Sequence, residues 1–384
     1  MDDLQWLKSL PCSQNSRYWS IKKNIKKIIA KKVINGGLNS ETFGYLIEMK
    51  DKYIDEDEDN IKEISLFVKR PNFGNASALN VAAFQRWYER EVKFYDLIHP
   101  SNPNMITIPK CYLAMHDEKT NNFALILENL LDSSISLEMI DSSPGATFKQ
   151  AKLCVETIGK FHNTCYSLQK QFADFLPLMP VHLEFAPNIA MNLQSYWKDV
   201  KKSYKSVFDK YESKGIHDIS ENIGNIYVQY TKDLSEEPRT VIHGDYRVGN
   251  MMFNKDGKDI VVFDWQFVAR GRGVYDLVYF ICFDLNVADR RKYENELFHT
   301  YLKCLTDAKN VNMSYDMLMD DVKKAVLLIY ASLIIGAATS GESGRVTHTL
   351  AFHRFVSAII DWNVAIDDGT AGKIIEKNGK NASL

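Results

Sequence analysis

The order of apolar and polar residues predicts a β-rich first third of the chain. Four runs are rich in β-branched and aromatic residues and lie between turn-like or charged segments: 42–49, 64–69, 111–117 and 123–130. The first two flank an acidic stretch at 51–60, which predicts a hairpin with a solvated loop. If the segment from Lys31 to Asn39 begins a further strand, these runs form a five-stranded sheet.

One helix is predicted within this β-rich region, at residues 79–98. Its apolar side chains recur at spacings of three and four: Val81, Phe84, Tyr88, Val92 and Tyr95. Such spacing is typical of an amphipathic helix with one buried face.

After about residue 130 the pattern becomes mostly helical. Helical periodicity covers five segments: 147–168, 190–212, 290–305, 314–338 and 348–366. The exception is 241–264, where the run MMF and the apolar run from 260 flank NKDGKD and predict a small hairpin. We therefore expect an α+β protein with two regions: residues 1–130, an antiparallel sheet plus one helix, and residues 131–384, larger and mostly helical.

The composition of the chain bears on its partners and its location. The 384 residues are 45% hydrophobic and 25% charged, with a formal net charge of −2, so no basic field favours nucleic acid. The six cysteines form no CxxC pair, and residues 1–20 lack a signal-peptide pattern, so we expect a cytoplasmic protein. The apolar run from Ala325 to Ala338 is shorter than the ~20 residues of a membrane span. The sequence does not indicate an oligomeric state.

The stretch VIHGDYRVGNMMF (241–253) carries the candidate chemistry. A hairpin can bring Asp245 and Asn250 to the same edge as Asp264, which follows the next apolar run. One amide and one carboxylate can ligate Mg²⁺ through hard oxygens, and the remaining carboxylate can accept a proton from an attacking hydroxyl. Phosphoryl transfer needs this arrangement, because its transition state depends on positioning and charge neutralisation.

The segments H-G-D-Y-R-V-G-N and F-D-W-Q resemble the catalytic and metal-binding segments of aminoglycoside phosphotransferases and choline-kinase-like enzymes, most closely the ecdysteroid-kinase-like branch. The resemblance extends from about Lys32 to about Trp362 and implies a bilobal protein-kinase-like fold. It implies that Asp245 is the catalytic base, that Asn250 and Asp264 bind Mg²⁺, and that His243 holds the catalytic loop in shape.

The same resemblance implies an ATP site in the first region. Lys69, at the end of a predicted strand, corresponds to the lysine that contacts the α- and β-phosphates, and Glu91 to its ion-pair partner. Glu128 and Leu130 occupy the place where backbone groups hold adenine.

The segment NGGLNSETF (35–43) stands where a glycine-rich phosphate loop belongs, but it lacks the G-x-G-x-x-G pattern. Its glycines allow close approach of the backbone to a phosphate, and Ser40 or Thr42 could donate a hydrogen bond to one.

Two neighbouring residues, Asp276 and Arg247, each allow two interpretations. Asp276 follows a glycine-rich turn and either caps the next helix or supports the catalytic loop, as a similar aspartate does in relatives. Arg247 pairs either with a phosphate or with a carboxylate such as Asp276. Trp265 and Phe267 are expected to pack in the core.

The function predicted from these features is an ATP-dependent small-molecule kinase. Its acceptor is a small hydroxyl compound (a steroid alcohol, an amino alcohol or a xenobiotic), and the apolar helical segments favour a lipophilic one. A protein kinase is disfavoured because Asp264 and Asp276 are too close for a long activation segment. A non-catalytic nucleotide- or ligand-binding protein on this fold is the main alternative, and a metal-dependent hydrolase is remote because the histidines lack ligand spacing.

Overall fold

The computed structural model describes residues 2–10, 24–34, 40–50, 61–72, 85–120, 122–181, 183–306, 311–340 and 344–366. The predicted acidic loop at 51–60 and the segment 35–39 lie outside these residues.

The first region is an antiparallel sheet of five strands, as predicted. They are β1 (Ile25–Ile34), β2 (Ser40–Lys50), β3 (Ile61–Pro71), β4 (Cys111–His116) and β5 (Phe123–Glu128). Their order is β1-β2-β3-β5-β4. β1 begins earlier than the predicted start near Lys31, because Ile25 already pairs with Met49 at the end of the long strand β2.

A short N-terminal helix covers the outer face of this sheet. Helix α1 (Asp3–Ser9) is capped by the Asp2 carboxylate, which accepts the Gln5 backbone N–H at 2.7 Å. Its buried Leu7 packs in a cluster with Leu66 and Val68 of β3. Because side chains alternate along a strand, Phe67 and Lys69 of β3 point to the opposite face, toward the second region.

The inner face of the sheet contacts helix α2 (Trp87–Lys93), which continues through a π turn, Phe94–Ile98, to Ser101. Residues 79–84 of the predicted helix lie outside the described residues. Tyr88, Val92 and Tyr95 are buried, as their spacing predicted.

The second region is built from seven longer helices within the described residues. They are α3 (Phe148–Leu168), α4 (Ala186–Ser203), α5 (Ile216–Asp233), α6 (Val274–Asp284), α7 (Val287–Thr306), α8 (Tyr315–Thr339) and α9 (Arg345–Asp361). Their apolar faces form one core with the inner face of the sheet. α8 has the length and apolar composition of a membrane span, but 61% of its most apolar stretch is buried within the protein, as in a core helix.

One helix prediction in this region had the wrong bounds, and one helix was missed. The predicted helix 190–212 is interrupted at Tyr204, whose buried ring packs on Phe352 with centroids 5.0 Å apart, so α4 ends at Ser203 and a separate short helix follows at Lys205–Phe208. α5 was missed, although Ile216, Ile223 and Tyr227 lie on one buried face.

Short strands surround the predicted loop. β8 (Met251–Asn254) and β9 (Ile260–Val262) form the predicted hairpin, joined at its edge by β6 (Leu137–Glu138). β7 (Thr240–Ile242) pairs with β10 (Ala269–Gly271). Residues 243–250 therefore leave one paired strand and enter another, so both ends of the loop are held.

The packing of α1 on the sheet can be tested by replacing Leu7. We expect Leu7→Ala to lower the free energy of unfolding by about 2–5 kcal/mol, because a fully buried leucine leaves a cavity. Urea unfolding followed by circular dichroism measures the change. The exposed Lys8→Ala in the same helix is the control, and equal effects of the two variants would contradict this packing.

Candidate active site

The loop that follows β7 is anchored by the buried carboxylate of Asp276. Its Oδ2 accepts the His243 backbone N–H at 2.6 Å, and its Oδ1 accepts the Gly244 N–H at 2.8 Å. The ring of His162 lies 3.1 Å from the same Oδ2. The N-cap of α6 is Gly273, so the interpretation of Asp276 as a helix cap is wrong, and its oxygens hold the loop instead.

His243 connects this loop to the segment that carries Asp264. Its Nε2 lies 3.0 Å from the carbonyl oxygen of Phe263, and its Nδ1 accepts the backbone N–H of Asp245 at 3.2 Å. These two bonds together require the neutral ring with its proton on Nε2. The fully buried ring therefore fixes the distance between two loops.

Asp245 and Asn250 are held side by side. The Asn250 Nδ2 donates to the backbone oxygen of Asp245 at 2.9 Å and to its carboxylate Oδ2 at 2.8 Å. Arg247 Nε lies 3.3 Å from Asp245 Oδ1, so the carboxylate partner of Arg247 is Asp245 and not Asp276. With its nitrogen committed to Asp245, Asn250 keeps its amide oxygen for another partner.

Asp264 lies at the end of the hairpin that begins with Asn250. The Phe263 N–H donates to the backbone oxygen of Asn250 at 3.0 Å, so Asn250 and Asp264 lie at the same end of the β8–β9 ladder. Asp264 has φ 64° and ψ 63°, a left-handed conformation that is uncommon for residues other than glycine. This conformation turns the chain sharply from β9 into the turn at Trp265–Phe267.

Lys69 joins the sheet, α2 and the Asp264 segment. Its Nζ lies 2.8 Å from Glu91 Oε2 and 2.9 Å from Asp264 Oδ1, and its side chain is only 8% exposed. Burial alone would lower the pKa of Lys69, but the two carboxylates raise it above its ordinary value. The ammonium group is therefore charged and doubly paired.

The pKa values of the two carboxylates that pair with Lys69 shift in opposite directions. Burial raises the pKa of Glu91 to about 7, although Lys69 acts against this shift. Burial also acts to raise the pKa of Asp264, but the charge of Lys69 outweighs it and holds that pKa below its ordinary value. Asp264 thus remains the anion that faces the cleft, with 29% of its side chain exposed.

A cavity of about 270 Å³ opens between the sheet and the second region. Six of the nine predicted site residues line it: Ser40, Lys69, Glu91, Glu128, Leu130 and Asp264. His243, Asp245 and Asn250 stand on the adjoining loop, of which Gly249 reaches the cavity wall. Thr42 also lines the cavity, but its hydroxyl already donates to the Ile34 backbone oxygen at 2.5 Å.

The surface that lines the cavity is mostly apolar. Its apolar lining comes from both regions: Ile34, Phe67, Leu127, Leu131, Met139, Met252 and Phe263. The polar groups Lys69 and Asp264 also line it, and a slot of this kind fits a flat ring attached to an anionic chain.

The donor set fits a magnesium ion. Asn250 offers an amide oxygen, and Asp264 accepts from Lys69 through one carboxylate oxygen, so its second oxygen can take part in ligation. Both are hard oxygen ligands of the type that Mg²⁺ prefers.

A second support of the loop, Asp284, was not predicted from the sequence. Its Oδ2 accepts the Val248 N–H at 2.8 Å, and its buried Oδ1 has no hydrogen-bond partner among the residues that the structure describes. Burial raises the pKa of Asp284 to about 7. An acidic residue inside the apolar run VYFICFD was the signal, since buried carboxylates are rare unless they bond to something.

Trp265 and Phe267 pack as predicted. Trp265 is fully buried and stacks on Phe94 with ring centroids 3.6 Å apart. Phe267 contacts Trp87 edge-on at 5.0 Å.

The five-stranded sheet with one helix, the helical region and the loop between them define a kinase-like phosphotransferase fold. The GDP and kanamycin complex of APH(2")-IIia shares this fold, with a TM-score of 0.52 and 11% identity over 87% of this chain and 95% of that chain. The AMP-bound complex of spectinomycin phosphotransferase, APH(9)-Ia, gives 0.49 and 13% identity over 93% and 100% of the two chains. Choline kinase LicA from Streptococcus pneumoniae gives 0.45 and 13% identity over 86% and 94%.

The chain belongs to the ecdysteroid kinase-like family, whose model matches residues 44–312, more than half of its length. It is accordingly a kinase-like phosphotransferase of the kind that acts on hydroxyl groups of small molecules. Among curated proteins, none shows significant sequence similarity to it.

The role of Asp284 can be tested through the pH dependence of stability. Its pKa is about 7 in the folded protein and near 3.8 when unfolded, so the folded state binds an extra proton between these values. The stabilisation is complete below pH 3.8 and is lost as the pH rises through 7. We expect Asp284→Asn, which cannot ionise, to raise the melting temperature at pH 8 by several degrees relative to the wild type.

The comparison is made by differential scanning fluorimetry from pH 5 to pH 8. Asp289→Asn, a half-buried aspartate of α7, is the matched control. If the difference between wild type and Asp284→Asn is the same at both ends of this range, the assignment of the pH dependence to Asp284 is wrong.

Proposed function

We propose that the protein transfers the γ-phosphoryl group of ATP to a hydroxyl group of a small acceptor, with Mg²⁺ as the metal. The observation that carries this proposal is Lys69, a buried ammonium held between Glu91 and Asp264 at the wall of an apolar slot. A structural ion pair would not need to face a cavity, whereas a phosphate-binding lysine must.

In this proposal the adenine ring enters the apolar cavity and contacts Phe67 of the sheet and Phe263 of the hairpin, which both line it. The backbone at Glu128 and Leu130 forms the wall that the ring edge meets. Lys69 then contacts the α- and β-phosphates, and the Ser40 hydroxyl donates to a phosphate oxygen. Residues 1–130 serve as the nucleotide-binding region.

Asn250 and Asp264 would hold Mg²⁺ through their oxygens. When bound, the ion neutralises negative charge on the phosphate oxygens. Asp264 is suited to this because Lys69 keeps it ionised, and Asn250 is oriented by its two hydrogen bonds to Asp245.

Asp245 is the proposed base. Its carboxylate accepts the hydroxyl proton of the acceptor while the acceptor oxygen forms its bond to phosphorus and the bond to the leaving ADP oxygen breaks. His243 acts through the backbone, because it holds the Asp245 N–H and the Phe263 oxygen together. Residues 131–384 therefore supply both catalysis and acceptor binding.

The acceptor classes proposed are a steroid alcohol, an amino alcohol or a xenobiotic alcohol, and the proposed location is the cytoplasm. The apolar core that surrounds the loop favours the lipophilic members of this set.

The proposal is tested by Asp245→Asn in an assay of acceptor-dependent ADP formation with Mg·ATP across a panel of hydroxylated small molecules. We expect kcat to fall by about 100-fold or more, because general-base catalysis contributes roughly 10²–10⁴ to the rate. Affinity for Mg·ATP, measured by calorimetry, should change by less than about threefold, since Asp245 does not line the cavity.

Asp256→Asn, at the exposed turn of the β8–β9 hairpin, is the control. Undiminished turnover in Asp245→Asn would remove Asp245 as the base. An absence of both turnover and Mg·ATP binding in the wild type would reject the kinase function altogether.

A further inference from the structure

A second buried histidine, His162 of α3, lies behind the loop at 243–250. Its Nε2 is 3.1 Å from Oδ2 of Asp276, the same oxygen that accepts the His243 backbone N–H. Its backbone oxygen accepts the Thr240 hydroxyl at 2.7 Å, which joins α3 to β7 just before the loop. The side chains of His162 and Asp276 are both fully buried, so bulk solvent does not reach this contact.

The other ring nitrogen of His162 has its own partner, on α7. The Tyr301 hydroxyl lies 2.8 Å from Nδ1, and the tyrosine is fully buried. Burial raises the pKa of Tyr301 well above its ordinary value, so the hydroxyl keeps its proton. Tyr301, His162 and Asp276 thus form a continuous series of contacts from α7 to the loop.

The proton positions in this series follow from what each group can donate or accept. A carboxylate only accepts, and Asp276 already accepts two backbone N–H groups, so the His162 Nε2 that faces it must carry a proton. In the neutral ring Nδ1 is then the acceptor, and the Tyr301 hydroxyl is its donor. With the proton on Nδ1 instead, the lone pair of Nε2 would face a carboxylate oxygen, and Asp276 would lose one hydrogen bond.

The backbone at the start of α6 leaves space for the contact between tyrosine and histidine. A Cβ atom on Gly273, the N-cap of α6, would lie 2.3 Å from the Tyr301 Oη and 2.5 Å from the His162 Nδ1. These are the two atoms that form the hydrogen bond, so a side chain here would displace one or both of them. A glycine is therefore required at this position for the bond between Tyr301 and His162.

We propose that Tyr301 is a positioning residue for the proposed reaction. By donating to Nδ1, it fixes the His162 tautomer whose Nε2–H holds Asp276. Asp276 in turn holds the loop that carries Asp245, and the inference rests on the proposed function because it takes Asp245 as the base. Tyr301 is fully buried, so its effect on turnover passes through the histidine and the aspartate.

The proton on His162 can be observed directly. We expect its neutral form, with the proton on Nε2, in the wild type. Tyr301→Phe should deplete this form, because a buried Nδ1 left without a donor is unfavourable. Long-range ¹H–¹⁵N spectra of the full chain labelled at histidine measure both, since protonated and unprotonated ring nitrogens resonate far apart. The spectrum of His162→Asn identifies the signals.

The effect on the loop is measured in the same variant. With Mg·ATP and an alcohol that the wild type phosphorylates, Tyr301→Phe should lower kcat about tenfold, since loss of a partner that orients a histidine costs roughly 10–100-fold in metal sites. Affinity for Mg·ATP, measured by calorimetry, should change by less than about threefold, because the residues that line the cavity are unaltered. Amide hydrogen exchange of the peptide that contains His243 and Gly244 should become at least about fivefold faster.

Tyr330→Phe is the matched control. The Tyr330 hydroxyl of α8 is also fully buried and lies 2.8 Å from the Ser220 hydroxyl of α5. This variant should lower the melting temperature about as much as Tyr301→Phe, but leave kcat, the His162 signals and the exchange of the loop unchanged. Gly273→Ala, which fills the space of the hydrogen bond, should reproduce all the effects of Tyr301→Phe.

A wild-type spectrum in which His162 carries its proton on Nδ1, or on both nitrogens, would overturn the inference. Wild-type turnover and exchange in Tyr301→Phe, or equal losses in Tyr330→Phe, would also overturn it. If neither Tyr301→Phe nor Gly273→Ala folds, the wild-type spectrum decides. The spectra and the exchange need no ATP, so failure of this inference is distinguishable from failure of the kinase function, which appears as absent turnover with every alcohol.

Discussion

A single buried ammonium group joins the two regions of this protein. Lys69 comes from the sheet, Glu91 from the helix that packs on it, and Asp264 from the hairpin of the helical region. Removal of one carboxylate would leave a buried charge only partly compensated, at a cost of about 3–5 kcal/mol for a buried pair. This pairing also sets the position of the cavity, because Lys69 reaches both Glu91 and Asp264 only where the sheet, α2 and the hairpin meet.

The loop at 243–250 depends on a second kind of constraint. Residues 243–250 form few regular backbone hydrogen bonds of their own, so their N–H groups need acceptors from elsewhere. Asp276 satisfies two of them and Asp284 a third, both from the same helix, α6. One helix, α6, therefore holds three backbone N–H groups of the loop in place.

Much of the fold was predictable from local pattern. The strands predicted from the β-branched and aromatic runs at 42–49 and 64–69, the buried Tyr88, Val92 and Tyr95, and the hairpin at 251–262 all appear where predicted. The differences arise from contacts between distant parts of the chain. The predicted helix 190–212 is interrupted at Tyr204, whose ring packs on Phe352, and a further short helix follows at Lys205–Phe208. Of the two interpretations of Asp276, the sequence could not choose between a helix cap and a support of the loop, because its oxygens bond to backbone N–H groups 33 and 32 residues away in sequence.

The sequence by itself determined which residues are candidates for the chemistry. The spacing of His243, Asp245, Asn250 and Asp264 admits few arrangements, since a two-strand hairpin forces the last two to one end. Only the tertiary structure decided their partners: Lys69 with Asp264 across 195 positions, Asp284 with Val248, and Arg247 with Asp245 rather than Asp276. The physical reason is one of range. Strand and helix patterns depend on residues a few positions apart in sequence. A buried charge instead needs an opposite charge or a hydrogen-bond partner within about 3 Å, and the folded chain can bring that partner from any position.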